Sequence, residues 1–168
     1  MTIKIGDRLP EGKLSEFIDV ETEGCTLGPN TFNVSDLVKG KTIAIFGLPG
    51  AYTPTCSAKH VPGYVEHAAA LKAKGVDEIW CVSVNDAFVM GAWGRDQGAT
   101  GTVRMMADGS AKFTNAIGLP FDLTEHGMGV RSQRYSMLVK DGVVTQLNVE
   151  APGKFDVSNA ETLLGQLN

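Results

Sequence analysis

The strongest constraint on the fold of this chain is a run of short strand-like segments separated by stretches long enough for helices. KTIAIFGL (41–48) and EIWCVSV (78–84) are continuous apolar runs, and TVRMMAD (102–108) is a third strand-like segment. Short runs of this kind, bounded by turn residues, are how strands buried on both faces look in sequence. Between them, Tyr64 to Lys74 carries apolar residues at helical spacing and stops at Gly75. Residues 87–98 and 110–118 read as two further helices, with Ser110 as the cap of the second. Toward the C-terminus, RYSMLVKDGVVTQLNV (134–149) places Asp141-Gly142 between two apolar runs, a strong hairpin signal. A last helix is expected over 159–167 with Ser158 as its cap. At the other end, residues 1–33 suit a small antiparallel hairpin, followed by a helical turn capped by Ser35 and closed by Gly40. Alternating strands and helices that end in a hairpin predict an α/β chain with a mixed central sheet flanked by helices, in a thioredoxin-like arrangement with an N-terminal hairpin addition.

Length and composition narrow the possibilities. The chain has 168 residues, which suits a single domain over 1–168. A formal charge of −4 and no Lys/Arg cluster argue against nucleic acid or an anionic membrane as a partner. No stretch is long and apolar enough for a membrane span, and the N-terminus lacks the apolar core of a secretory signal, so a cytoplasmic location is expected. The cysteines are Cys25, Cys56 and Cys81, with no Cys-x-x-Cys pair, which disfavours a disulfide framework, a zinc site and dithiol exchange.

The chemistry is concentrated in GLPGAYTPTCSAKH (47–60). The first strand ends at Pro49, a loop follows, and Cys56 falls where the next helix should begin. Ligands in such sheets bind beyond the carboxyl ends of the strands. A helix N-terminus offers roughly half a positive charge and unpaired N–H groups, both of which favour a thiolate. Thr53 offers a hydroxyl on the same loop, and Pro49 and Pro54 stiffen it and shield the sulfur. The small polar flanks of Cys56 are wrong for a core cysteine, so it is read as a nucleophile. His60 lies four residues on; a Cys-His pair is conceivable, but a partly exposed helical histidine is the preferred reading. Arg131 and Arg134 are equal candidates, on this reading, for a cation at the thiolate. Cys81 sits in a central strand and reads as packed and inert; Cys25 reads as a loop thiol.

Pro49-x-x-x-Thr53-x-x-Cys56 resembles the P-x-x-x-T-x-x-C signature of the peroxiredoxins, and PGAYTPTCSAKHVPGY (49–64) is similar to their type II, peroxiredoxin-5-like branch. DEIWCVSVNDAFVMGAW (77–93), RMMADGSAKFTNAIGL (104–119) and RSQRYSMLVKDGVV (131–144) extend the resemblance over nearly the whole chain. It implies a thioredoxin-fold peroxidase for hydrogen peroxide and alkyl hydroperoxides that needs no metal or organic cofactor. Cys56 would be oxidised to a sulfenic acid, with Thr53 and the backbone N–H groups of Gly50 and Cys56 holding the peroxide. It favours Arg134 over Arg131 as the activating cation. Relatives that carry a late resolving cysteine would have it where this chain has Ser158. Cys81 matches a resolving position of some members, which keeps a thioredoxin-recycled disulfide cycle as the alternative. Otherwise an external thiol, glutathione with or without glutaredoxin, must recycle Cys56. A non-enzymatic redox sensor is a further alternative. The apolar helix 87–93, with Phe88, Val89, Met90 and Trp93, is expected to contribute to a homodimer contact near Tyr52 and Pro49.

Overall fold

The computed structural model describes residues 1–19 and 21–167. Among the described residues there are nine strands and five α-helices, numbered in chain order. The main sheet has seven strands in the order β2-β1-β5-β4-β3-β8-β9. These are β1 (Lys13–Ile18), β2 (Gly28–Asn33), β3 (Thr42–Leu48), β4 (Glu78–Ser83), β5 (Arg104–Ala107), β8 (Tyr135–Lys140) and β9 (Val143–Val149). β3, β4 and β5 run parallel, and β8 and β1 join them antiparallel on either side. The sheet is therefore mixed, as expected. The N-terminal hairpin is β1–β2, and it extends the edge beyond β5.

The continuous apolar character of β3 follows from its place in the centre: Ile43 to Leu48 are all buried. Side chains alternate between two cores. Ala44, Phe46, Leu48, Ile79 and Cys81 face α2 (Val61–Ala73), α3 (Ala87–Asp96) and α5 (Ala160–Gly165). Ile43, Ile45, Trp80 and Val82 face α1 (Val34–Val38), α4 (Lys112–Ala116) and the N-terminal segment. A two-residue period feeding two helical layers is the physical origin of the sandwich. Gly47 is required in β3 because the ring of Tyr135 on β8 occupies the space where a Cβ would stand. Among the described residues no helix is long and apolar enough to cross a membrane.

The structure corrects the expected caps. Asn33, not Ser35, precedes α1, and Ser35 lies inside it. At α4 the carboxylate of Asp108 accepts from the N–H groups of Phe113 and Thr114, so Ser110 is not the cap. The side chain of Asn159, not Ser158, accepts from Thr162 N–H at the start of α5. A second, two-stranded sheet pairs β6 (Pro120–Leu123) with β7 (Gly129–Ser132), beyond the elements the sequence predicts. The Asp-Gly hairpin forms as expected: Asp141 and Gly142 both take positive φ, 48° and 82°, as a tight β8–β9 connection demands.

Candidate active site

Strand β3 delivers the chain to Pro49, and the loop 49–53 turns it into a helix that opens at Pro54. Proline suits a first helical position because its missing N–H would have no intrahelical partner there. Pro54 is exposed, so it sets the helix start and does not cover the sulfur as expected. Cys56 follows in the first turn and is fully buried. Residues Cys56–His60 form a π-helical turn in which Val61 N–H reaches Cys56 O, before α2 continues. Such wide turns are rare and concentrate at functional sites.

The loop is held from several directions. Thr53 Oγ1 donates to Gly50 O at 2.7 Å, so its proton is engaged and its lone pairs remain available. Arg131 donates through Nη1 to Pro49 O at 3.1 Å and through Nε to Met128 O at 3.0 Å. Its guanidinium lies against Gly50, where a Cβ would collide with it. Ala51 N–H donates to Asn85 Oδ1 at 3.0 Å, and Ser83 Oγ reaches the same oxygen at 2.6 Å. Tyr52 adopts φ of 63°, and its hydroxyl donates to Asp96 at 2.7 Å. Trp93 Nε1 donates to Ser57 Oγ at 3.0 Å, tying α3 to the residue beside Cys56.

Distance separates the two arginines. Arg134 Nη2 lies 3.1 Å from Cys56 Sγ, while Arg131 clamps the loop. The same guanidinium places Nη1 2.9 Å from His60 Nδ1. His60 is fully buried, not partly exposed, and its Nε2 lies 3.1 Å from Ser158 O. A carbonyl only accepts, so Nε2 carries the proton and Nδ1 presents its lone pair to Arg134. Burial first, and the adjacent Arg134 charge second, push the His60 pKa down to about 3, so the ring is neutral. Tyr64 donates to the same Ser158 carbonyl at 3.0 Å and stacks on Phe46 with ring centroids 4.1 Å apart.

Ser158 has a structural role that no local sequence signal announces. Glu150 is buried, and its carboxylate accepts from the N–H groups of Asp156, Val157 and Ser158 and from the Ser158 hydroxyl. Burial alone would raise the Glu150 pKa, but these hydrogen bonds outweigh it and hold the carboxyl below its usual range. A continuous chain results: Glu150 fixes Ser158, Ser158 fixes His60, His60 fixes Arg134, and Arg134 meets Cys56.

Cys81 is fully buried in β4, level with Phe46 and Met105 on the flanking strands, and all three cysteines are free. Burial pushes the Cys81 thiol well above its ordinary pKa, and the proximity of Cys56 adds to this. Cys25 lies in a turn bridged to Thr22, remote in sequence from the site loop.

The neutral buried His60 makes stability sensitive to acid. Its folded-state pKa of about 3 lies below the ordinary 6.5, so unfolded chains bind a proton that folded chains refuse. Stability is then lost as pH falls from about 6.5 toward 3, with a slope approaching about 1.4 kcal/mol per pH unit from this one group. Denaturant titrations of wild type and His60→Asn between these pH values should show a shallower slope for the variant. Parallel slopes would remove His60 as the cause.

A thioredoxin-like sheet carrying a single thiol at a helix start, clamped by an arginine from the neighbouring antiparallel strand's entrance, defines a thiol-based peroxidase scaffold. Comparison with known proteins agrees. Residues 4–164 match the Redoxin family. The chain is 47% identical over 165 residues to peroxiredoxin-2B of Arabidopsis thaliana, covering 98% of each. It is 51% identical to reduced Prx3 of Vibrio vulnificus in complex with hydrogen peroxide, with a TM-score of 0.91 over 99% of this chain and 100% of that one. A Burkholderia cenocepacia structure described as a candidate thioredoxin reductase is 65% identical, with a TM-score of 0.99 over 100% of this chain and 99% of that one. This chain belongs to the peroxiredoxins, in their type II, peroxiredoxin-5-like group, and is a thiol peroxidase.

Proposed function

We propose that Cys56 is the peroxidatic residue and that the chain reduces hydrogen peroxide and alkyl hydroperoxides, with recycling by glutathione, alone or with glutaredoxin. The observation that carries this reading is the 3.1 Å contact from Arg134 Nη2 to Cys56 Sγ, which aims a permanent cation at the sulfur. The thiolate attacks the distal peroxide oxygen, an S–O bond forms, and the O–O bond breaks. The departing oxygen takes a proton and leaves as water or an alcohol, and Cys56 becomes a sulfenic acid. Thr53, whose own proton is held by Gly50 O, accepts a hydrogen bond from the peroxide O–H. Cys56 N–H precedes the first intrahelical bond, Ser57 N–H to Thr53 O, and with Gly50 N–H it donates to the peroxide oxygens. Arg134 spreads its charge over sulfur and the leaving oxygen as negative charge shifts between them. Pro49 fixes the strand end that carries the loop.

An external reductant is favoured because Cys81 is packed between two strands, while Ser158 is bound to Glu150. The test is sustained hydrogen peroxide turnover with glutathione, glutathione plus glutaredoxin, or thioredoxin as the only reductant. Glutathione-containing mixtures should support repeated cycles. Turnover with thioredoxin alone would overturn the reductant assignment, and none with any reductant would favour a redox sensor.

A homodimer is part of the same proposal. Phe88 and Tyr52 are exposed, with relative exposures of 64% and 52%, whereas Met90 and Trp93 are core residues. The contact is therefore assigned to Phe88 and Tyr52, with half-buried Val89. Sedimentation at micromolar concentration should show a dimer, and Phe88→Glu should shift it to monomer; a monomeric wild type would sink the idea.

A further inference from the structure

The turn that joins β3 to the helix of Cys56 is fastened by the end of β4. Leu48 and Ser83 are the last pair of the β3–β4 register, so the two strands finish side by side. Beyond that pair β3 runs on into Pro49, Gly50 and Ala51, and β4 into Asn85. Asn85 Oδ1 accepts from Ala51 N–H at 3.0 Å and from the hydroxyl of buried Ser83 at 2.6 Å. We propose that Asn85, aimed by Ser83, is a positioning residue of the peroxidase reaction: it sets the direction of Gly50 N–H, the donor assigned above to the peroxide. The proposal rests on the peroxidatic reading of Cys56 and adds to it two residues outside the Pro-x-x-x-Thr-x-x-Cys segment.

Two peptide planes meet at Gly50. In the Pro49–Gly50 plane the carbonyl accepts from Arg131 Nη1 at 3.1 Å, and the N–H on its opposite side is that of Gly50. In the Gly50–Ala51 plane the carbonyl accepts from Thr53 Oγ1 at 2.7 Å, and the N–H donates to Asn85. A planar peptide held at both ends cannot tilt, so Asn85 and Thr53 together fix the second plane. Gly50 itself supplies little restraint, because without a Cβ it moves freely in φ and ψ. Its direction is therefore set by what grips the planes on either side. Gly50 N–H donates to no protein group among the described residues, which leaves it for the peroxide.

The residue after Ala51 raises the demand on this anchor. Tyr52 holds φ of 63°, a left-handed conformation that is costly for a residue with a Cβ and persists only where several contacts over-determine it. Those contacts are Asn85 to Ala51 on one side, Thr53 to Gly50 O on the other, and the Tyr52 hydroxyl to Asp96. The anchor is itself secured, since Ser83 O accepts from Asp108 N–H at 2.9 Å. Without the Asn85 oxygen the strained turn relaxes, and Gly50 N–H turns with it.

The test compares two reactions of one sulfur, by rapid quench and mass spectrometry of the Cys56 peptide. Oxidation by hydrogen peroxide builds negative charge on an oxygen within reach of Gly50 N–H, whereas alkylation by iodoacetamide expels iodide and makes no use of that donor. Asn85→Ala should lower the second-order rate constant for hydrogen peroxide about tenfold, with alkylation within about twofold of wild type; the donor is misaimed, not removed. Ser83→Ala should give a smaller fall, about threefold, and the double variant should be no slower than Asn85→Ala, because Ser83 acts through Asn85. If Asn85→Ala does not fold, Ser83→Ala carries the same comparison alone. Unchanged peroxide rates in the single variants would overturn the proposal. So would oxidation and alkylation changing in step, the mark of a loosened fold, and multiplying effects in the double variant would remove Ser83 from it. A wild-type Cys56 that hydrogen peroxide leaves unoxidised would overturn the peroxidatic reading itself.

Discussion

Hydrogen peroxide consumption by Cys56→Ser should fall to the rate of buffer alone, while Cys25→Ser and Cys81→Ala keep most of the wild-type rate with glutathione. The expectation follows from the chemistry of the atom replaced. Serine oxygen is a poor nucleophile without a general base, and it has no accessible counterpart of the sulfenic acid that stores the oxidising equivalent. The base one would look for, His60, already uses Nδ1 for Arg134 and Nε2 for Ser158 O, so no rescue through a serine–histidine pair is available. Alanine is the better replacement at Cys81, because a serine hydroxyl would enter a fully buried apolar site at a cost of about 1–3 kcal/mol. Selective loss of a thioredoxin-driven rate in Cys81→Ala would make Cys81 a resolving cysteine after all. Residual peroxide turnover in Cys56→Ser would move the nucleophile elsewhere.

The legible parts of this molecule are those in which local sequence and final environment agree. β3 reads as a central strand because the same apolar residues that make it β-prone are buried on both faces. Cys56 reads as a reactive thiol because a Pro/Gly loop before a helix leaves few other reasons for a cysteine there. Asp141-Gly142 reads as a hairpin because two consecutive positive φ values suit few other residue pairs. The illegible parts depend on distant partners. Ser35, Ser110 and Ser158 are all able to cap, but Asn33, Asp108 and Asn159 stand within two residues of them and are as able. Backbone geometry decides between such neighbours. β6 and β7 are four residues each, half-exposed and without an apolar run, so no periodic signal exists to find them. His60 departs furthest from the environment its sequence suggests. Its polarity suggested exposure, but the turn 150–158, some ninety residues away, closes over it and supplies the carbonyl that satisfies Nε2. The one available hint was the Cys56, His60, Tyr64 spacing of four, which places all three on one helical face toward the core.

That brace makes Arg134 the second residue with a large expected effect. Arg134→Gln should lower the second-order rate constant for hydrogen peroxide by roughly 10²–10³, the range seen when one donor to developing negative charge is removed from a preorganised site. Lysine should recover only part of this. One guanidinium reaches Cys56 Sγ with Nη2 and His60 Nδ1 with Nη1, and it lies 5.8 Å from the Phe155 ring centroid. An ammonium is a point charge on a flexible stem and cannot hold that forked geometry, so Arg134→Lys keeps charge but loses aim. His60 separates the two contributions. His60→Asn retains an oxygen that can accept from Nη1, whereas His60→Leu leaves that donor facing an apolar side chain. The ordering expected for peroxide oxidation is wild type, then His60→Asn, then His60→Leu, with Arg134→Gln slowest. Arg131→Gln provides the contrast. It should act through the Pro49 loop, lowering thermal stability as well as rate, because its partners are the carbonyls of Pro49 and Met128 and not the sulfur. If Arg134→Gln oxidised within a few-fold of wild type while Arg131→Gln were the slow variant, the activating cation would be Arg131, and the 3.1 Å contact at Cys56 would be packing without chemistry.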